Sequence, residues 1–353
     1  MSVSPFDHPI LSALLGDEEV ADFFSWDREL AALLRFETAL AIAEAAEGVI
    51  PDDAASAISE CCATFAPNMT ALRDGTARDG VVMPELVRQL SQSIGPKHGN
   101  HVHHGATSQD AIDSGLMVRL SSVVGILLHR LVSVSDSLTR LDDSFGERSL
   151  MGRTRMQAAI PIKVRDRISS WREPLLRHRL RMVESKKELL VVQFGGATGT
   201  LDKLGPRGSA VRQRLAKELG LGDAPQWHSQ RDRLVVFANN LSLITSSLGK
   251  LGQDIALLAQ DGDEISFSRG GTSSAMPHKQ NPVRAEVLVS LANFNATLVS
   301  AMYRTLAHEQ ERSGSAWTLE WMVLPQMAVA AAAALEHAKS VVAEMRELGQ
   351  VEN

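Results

Sequence analysis

The sequence predicts an all-α protein. A small N-terminal helical domain over residues 1–105 is followed by a bundle of long helices over residues 106–353. Three observations lead there. Alanine and leucine dominate a 353-residue chain that is only 5% aromatic, a composition that favours helix. Apolar residues recur at spacings of three and four over long stretches. Glycine and proline punctuate those stretches at places where helices must stop. The length suffices for a large core and two domains.

In chain order, Asp27–Ala46 comes first, with Leu30, Leu33, Leu34, Phe36 and Leu40 near helical spacing. Gly48 stops it and Pro51 prevents continuation. Asp52 and Asp53 cap a second helix reaching about Phe65, and a third covers Met83–Ile94, ending at Gly95-Pro96. The long helices follow. Leu116–Leu141 is bounded by Gly146 and Gly152, and Lys163–Val192 carries Pro174 as a kink point. Gly195–Gly208 reads as a glycine-rich connection. Asp232–Ala259, Val283–Leu306 and Leu319–Leu348 complete the set. Their stripes are more apolar than one partner needs, so packing against further subunits is expected.

Composition excludes several classes. The net charge of -6 argues against a nucleic-acid binder, so any anion site must come from local clustering. Cys61 and Cys62 are adjacent, which predicts no structural disulfide and a reducing compartment. Met1–Ile10 lacks a basic region followed by an apolar run, and no uninterrupted apolar stretch approaches the roughly 20 residues of a membrane span. A cytoplasmic protein without membrane or nucleic-acid partners is expected. No CxxC, HExxH, Walker or GxGxxG motif is present, and the histidines form no defensible metal set.

The most informative stretch is Arg269–Glu286. Gly270 and Gly271 open it, Ser273 and Ser274 follow, and Lys279 and Asn281 can hold an anion. Pro282 suits the start of a helix, whose N-terminus favours negative charge. A serine beside a lysine is a candidate proton carrier. The competing reading is a Gly/Ser surface linker; apolar Ala275 and Met276 in mid-loop oppose it. The second stretch is His98–Asp113. Thr107 and Ser108 precede an amphipathic helix, where hydroxyls either cap it or share an anion with its N–H groups. Both readings stand on sequence. His101, His103 and His104 read as a polar loop in preference to a metal cluster.

Ser273–Pro282 resembles the signature loop of the fumarase/aspartase superfamily, with Thr272 where the family has glycine, so the hinge falls on Gly270 and Gly271. The resemblance implies that Ser273 is the catalytic base and that Lys279 and Asn281 hold a substrate carboxylate. His104–Asp110 resembles the first conserved block, which makes Thr107 and Ser108 carboxylate ligands; His103 and Arg231 are placed with them. Gly80–Val87, Gln193–Leu201 and Glu311–Trp321 narrow the resemblance to bacterial 3-carboxy-cis,cis-muconate cycloisomerases, while Trp227–Arg233 matches a block shared with adenylosuccinate lyases. What this implies is a fumarase/aspartase-like bundle that forms a homotetramer. Each active site is then built from three chains, takes a small tricarboxylate of protocatechuate catabolism, and needs neither cofactor nor metal. The family continues into a third, C-terminal helical domain, which is expected to be absent here.

Gly152–Pro161 resembles the second conserved block, with Arg155 where the lyases and fumarases carry a histidine that pairs with a glutamate matching Glu286. Arginine stays charged and cannot protonate a leaving group. Arg155 is therefore expected to pair with Glu286 or to bind a carboxylate. Lactonisation has no departing amine and can dispense with that acid. The competing readings are an adenylosuccinate lyase-type elimination, which Arg155 opposes, and a non-catalytic helical scaffold, which intact Ser273, Lys279 and Asn281 oppose.

Overall fold

The computed structural model describes residues 4–268, 270–271, 276 and 280–351. Two short helices, α1 (Ser12–Leu15) and α2 (Glu18–Asp22), lead into α3 (Trp26–Ala46), capped by the Ser25 hydroxyl on the Arg28 N–H. Then come α4 (Asp52–Thr64), α5 (Met69–Asp79) and α6 (Met83–Ile94). Helix α5 escapes the periodicity argument because it gives only Leu72 and Gly75 to the interior. Its boundaries are nevertheless in the sequence: the Asn68 side chain accepts from the Ala71 N–H, and Gly80 closes the helix at φ +74°.

Helix α7 runs the 38 residues Ser108–Phe145, well beyond the expected Leu116–Leu141. A hairpin of β1 (Ser149–Thr154) and β2 (Gln157–Lys163) follows, then α8 (Val164–Leu189), a 3-10 turn at Asp202–Arg207, and α9 (Gly208–Leu219). The remainder is α10 (Asp232–Asp261), β3 (Ile265–Phe267), α11 (Val283–Arg304), α12 (Gly314–Glu344) and β4 (Met345–Leu348). The all-α class stands, with two small antiparallel ribbons, β1–β2 and β3–β4, added among the described residues.

Side-chain contacts give the direction of each long helix. Asp113 meets Trp317 near the start of α12, and Arg130 meets Ala332 and Glu336 further along, so α7 and α12 run the same way. Arg231, just before α10, also binds Asp113, which sets α10 parallel to them. Helix α8 runs opposite: His178 bonds Ser247 and Trp171 bonds Asp254. Helix α11 is antiparallel too, with Asn295 against Met327 and Arg284 against Glu344. The bundle core is aliphatic, from Leu120, Leu127 and Leu131 through Leu241 and Leu248 to the buried Ala330–Ala334 run. A second core joins α3, α4 and α6 to Val192, Phe194 and α9, so it draws on chain from both sides of residue 105.

Helices α7, α10, α11 and α12 each hold an 18-residue window apolar enough to cross a membrane by length and composition, which counting uninterrupted runs had missed. Bundle packing uses that apolarity: 67% of the window is buried in α10 and α12. Part of the surplus faces outward. Leu176, Leu180 and Val183 on α8, and Val236 and Leu243 on α10, are exposed.

Glycine sets the tightest helix contact. A Cβ on Gly252 would lie 2.5 Å from the Ala285 carbonyl oxygen, and one on Gly249 would lie 2.5 Å from the Ala292 Cβ. Helices α10 and α11 can approach this closely only because both positions lack a side chain. Gly252→Ala should therefore lower stability by about 1–3 kcal/mol through overpacking, although alanine is the better helix former by about 1 kcal/mol. Denaturant unfolding checks the sign; a stabilised variant would show that the contact has slack.

Candidate active site

The sequence-predicted residues fall at opposite ends of the bundle. Thr107, Ser108 and His103 stand at the start of α7. Arg155, Asn281 and Glu286 lie at the far end, beside the β ribbons. A helix of 38 residues separates them, roughly 57 Å at 1.5 Å per residue.

At the near end, Thr107 is the N-cap of α7, and its N–H donates to Asp110 Oδ2 at 3.0 Å. Asp110 is fully buried. It also accepts from Gly195 and Gly196 N–H, Gln193 Nε2 and His228 Nε2, at 2.9–3.0 Å. The carboxylate thus ties the glycine connection to the head of α7. Gly196 sits at φ +70°, and a Cβ there would press on the Gly105 carbonyl, so only glycine allows the strand of chain to come this close. Ser108 stays half-buried in the first turn, where helix N–H groups favour an anion. Arg312 reaches the same rim: Nε bonds Gln109 and Nη2 bonds the Ala197 carbonyl, and no carboxylate lies within ion-pair distance among the described residues. A cavity of about 620 Å³ opens one turn further along α7. Trp26, Val81, Val82, Ile112, Arg119 and Trp321 line it, bringing the Gly80–Val87 block to the site.

The assignment of Arg231 to substrate is corrected. Its guanidinium is fully buried and held between two carboxylates, Asp113 at 2.6 and 3.1 Å and Glu320 at 2.8 and 2.5 Å, over the Trp227 ring. Four of its N–H bonds are spent inside the protein, so Arg231 clamps α7, α10 and α12 together. Burial raises the Glu320 carboxyl even against Arg231, as expected where two acids share one buried cation. Arg231→Lys keeps the charge but loses the fork. It should cost about 1–3 kcal/mol, the range for buried acceptors left without a hydrogen bond, seen as a lower denaturation midpoint. Wild-type stability would return Arg231 to the substrate.

His103 lies in the turn before α7 with Nδ1 2.6 Å from Glu37 Oε1. Sequence reading missed Glu37. Phe36-Glu37 within an alanine-rich helix is visible, yet nothing local says that this glutamate faces inward. Behind it, Glu44 is fully buried with neither oxygen hydrogen-bonded among the described residues. Burial first, and the Glu37 carboxylate second, push its carboxyl up to about 9. The folded value lies above the unfolded one. Its stabilising protonated form is fully retained below about pH 4.5, and stability falls as pH rises toward 9, by about 1.4 kcal/mol per unit for one proton. Glu44→Gln should flatten that slope in denaturation midpoints measured from pH 5 to 9; an unchanged slope would mean that Glu44 does not titrate.

At the far end, Gly271 and Asn281 exchange backbone hydrogen bonds at 2.9 Å, closing the neck of the signature loop. A Cβ on Gly270 would meet Gln280 Cβ at 2.6 Å, and one on Gly271 would meet Val283 at 2.5 Å, so both glycines are needed there. Asn281 sits half-buried at the head of α11. Ser273, Lys279 and Thr272 lie outside the described residues. Arg155 occupies the tip of the β1–β2 hairpin, where it and Met156 both take positive φ, 49° and 68°. A two-residue turn of that kind normally draws Asn-Gly, so its sequence signal was missing. The strained arginine is exposed, and Glu286 is exposed in the first turn of α11; the two are not paired within this chain.

A lyase sequence profile matches residues 12–294. The chain belongs to the lyase family. The superfamily read from the signature loop is therefore the right one. A 3-carboxy-cis,cis-muconate cycloisomerase of Pseudomonas aeruginosa is 40% identical over 323 residues, 89% of this chain and 70% of that protein. The Pseudomonas putida enzyme of that name is 38% identical over 331 residues, 92% of this chain and 78% of the relative. The crystal structure of the 3-carboxy-cis,cis-muconate lactonizing enzyme from Pseudomonas putida superposes with a TM-score of 0.89 at 36% identity, over 96% of this chain and 77% of that one.

Proposed function

We propose that this chain is a 3-carboxy-cis,cis-muconate cycloisomerase, forming 4-carboxymuconolactone in protocatechuate catabolism, and that it works as a cytoplasmic homotetramer. The observation carrying this is the 40% identity with a named cycloisomerase across 89% of the chain. Arg155 favours the same reading over adenylosuccinate cleavage, because an arginine cannot protonate a departing amine. A carboxylate oxygen of the muconate adds to a ring-closing alkene carbon, and the electron pair moves onto the carbon alpha to another carboxylate. That carbon takes a proton from Ser273. The enolate-like dianion between these events needs concentrated cations and N–H donors. Lys279 and Asn281 supply them from the loop, and Thr107, Ser108 and Arg312 from the head of α7.

These groups reach one substrate only if separate protomers contribute them. The length of α7 keeps them apart in one chain, and the exposed apolar faces of α8 and α10 offer a surface for association. Arg155 and Glu286, not paired with each other among the described residues, are both exposed and placed to meet a neighbour's residues. No redox step occurs, so the reaction asks for no cofactor.

Ultraviolet monitoring of 3-carboxymuconate with the pure protein tests the assignment; efficient cleavage of adenylosuccinate in its place would overturn it. Ser273→Ala should remove turnover, by at least about a hundredfold for a lost acid–base group, while circular dichroism and sedimentation stay those of the wild type. Mixing Ser273→Ala subunits with Ser108→Ala subunits should restore part of the rate, since some sites then draw both residues from intact chains. No recovery on mixing would refute sites shared between protomers.

A further inference from the structure

Glu37 is a buried acid that the reaction as described leaves without a role. It projects from α3 into the turn that feeds α7, and its side chain is fully buried. Oε1 is 2.6 Å from His103 Nδ1. A carboxylate only accepts, so Nδ1 carries the hydrogen. The His103 backbone sits at φ +57°, an uncommon conformation for a side-chain-bearing residue. The Phe36 ring packs beside the imidazole, with centroids 6.4 Å apart. The side chain keeps 13% of its surface exposed, and the Thr107 backbone lies beside the ring. The imidazole is thus held through Nδ1 and only partly exposed, four residues before Thr107 and five before Ser108.

We propose that Glu37 is a positioning residue that locks His103 so that Nε2–H is offered to a carboxylate of the substrate at the head of α7. This rests on the cycloisomerase reading, in which a tricarboxylate has to be held there. The charge state of the ring decides whether the donor exists. In the imidazolium both nitrogens donate. In the neutral ring Glu37 keeps the one hydrogen on Nδ1, leaving Nε2 with a lone pair that repels a carboxylate. Glu37 from α3 and Asp110 from α7 are the charged groups facing His103. Burial opposes the cation, but Glu37, Asp110 and the Thr107 backbone outweigh it, and the imidazole is raised above its ordinary value. The dyad therefore binds substrate below that raised value and releases its hold as pH climbs through it.

The test uses the full chain with Glu37→Gln and His103→Gln, each checked for helicity and assembly. In the wild type, KM for 3-carboxymuconate should rise with pH while kcat stays level. In Glu37→Gln the midpoint of that rise should move acidward by about one unit, so that KM at pH 8 is about tenfold higher, with kcat within about threefold. In His103→Gln KM should be raised at all pH values and the titration lost. Histidine-labelled NMR gives a readout free of turnover: the His103 signal should titrate at lower pH in Glu37→Gln, and tricarballylate should shift it in the wild type. If Glu37→Gln does not fold, Glu37→Asp, which keeps the charge on a shorter arm, is titrated in its place and should also move the His103 midpoint. An unmoved His103 midpoint in the folded Glu37 variant, or a His103 signal indifferent to tricarballylate, overturns the dyad. Absence of muconate turnover with both NMR effects present would overturn the cycloisomerase reading and leave the dyad standing.

Discussion

The architecture depends on burying charge at the head of α7 with every charge answered. Asp110 and Asp113, one turn apart, are both sequestered, and an unpartnered carboxylate there would cost several kcal/mol. Asp110 is satisfied by backbone N–H groups of Gly195 and Gly196 and by His228. Asp113 is satisfied by Arg231, which takes Glu320 as well. The chain must therefore bring together segments far apart in sequence: the α7 head, the glycine connection, the start of α10 and the start of α12. Thr107 and Ser108 inherit a rigid platform from that requirement. Two carboxylates on one guanidinium also leave the centre short of positive charge, which is why burial prevails over Arg231 at Glu320.

Length is the second constraint. A helix of 38 residues cannot bring its two ends near each other, so the groups at the head of α7 and those around the signature loop stay distant within a protomer. Each end gathers its own group of sequence-predicted residues. One presents helix N–H groups, hydroxyls and Arg312. The other presents a loop whose neck is pinched by Gly271 and Asn281 beside a hairpin that holds Arg155 in a strained turn. The small residues at the contacts of α10, α11 and α12 let these helices pack closely.

Where sequence reading went astray, the cause was physical. Arg231 sits in a block rich in polar residues and looked like a ligand for a substrate anion. Its partners are 118 and 89 residues away, so no local pattern could reveal that its donors were already taken. Helix α5 contributes too little to the core to show periodicity. The β1–β2 hairpin turns on Arg155-Met156, residues with no turn preference, because the flanking pairing and packing impose positive φ on them. Phe36-Glu37 stands out only as a pair within an alanine-rich helix, and nothing local says that Glu37 faces inward.

What the sequence by itself determined was whatever depends on neighbours a few residues apart. Helix periods, the Asn68 and Ser25 caps, the glycines of the loop neck and the signature residues Ser273 to Pro282 are all of that kind, and they sufficed for the helical class and the family. Tertiary structure alone decided which polar groups are buried against one another. It turned Arg231 into an internal clamp, joined Glu37 to His103 across 66 residues of sequence, and set the head of α7 and the neck of the signature loop at opposite ends of the bundle. Charge satisfaction and distance are properties of the packed chain, and a linear pattern carries neither.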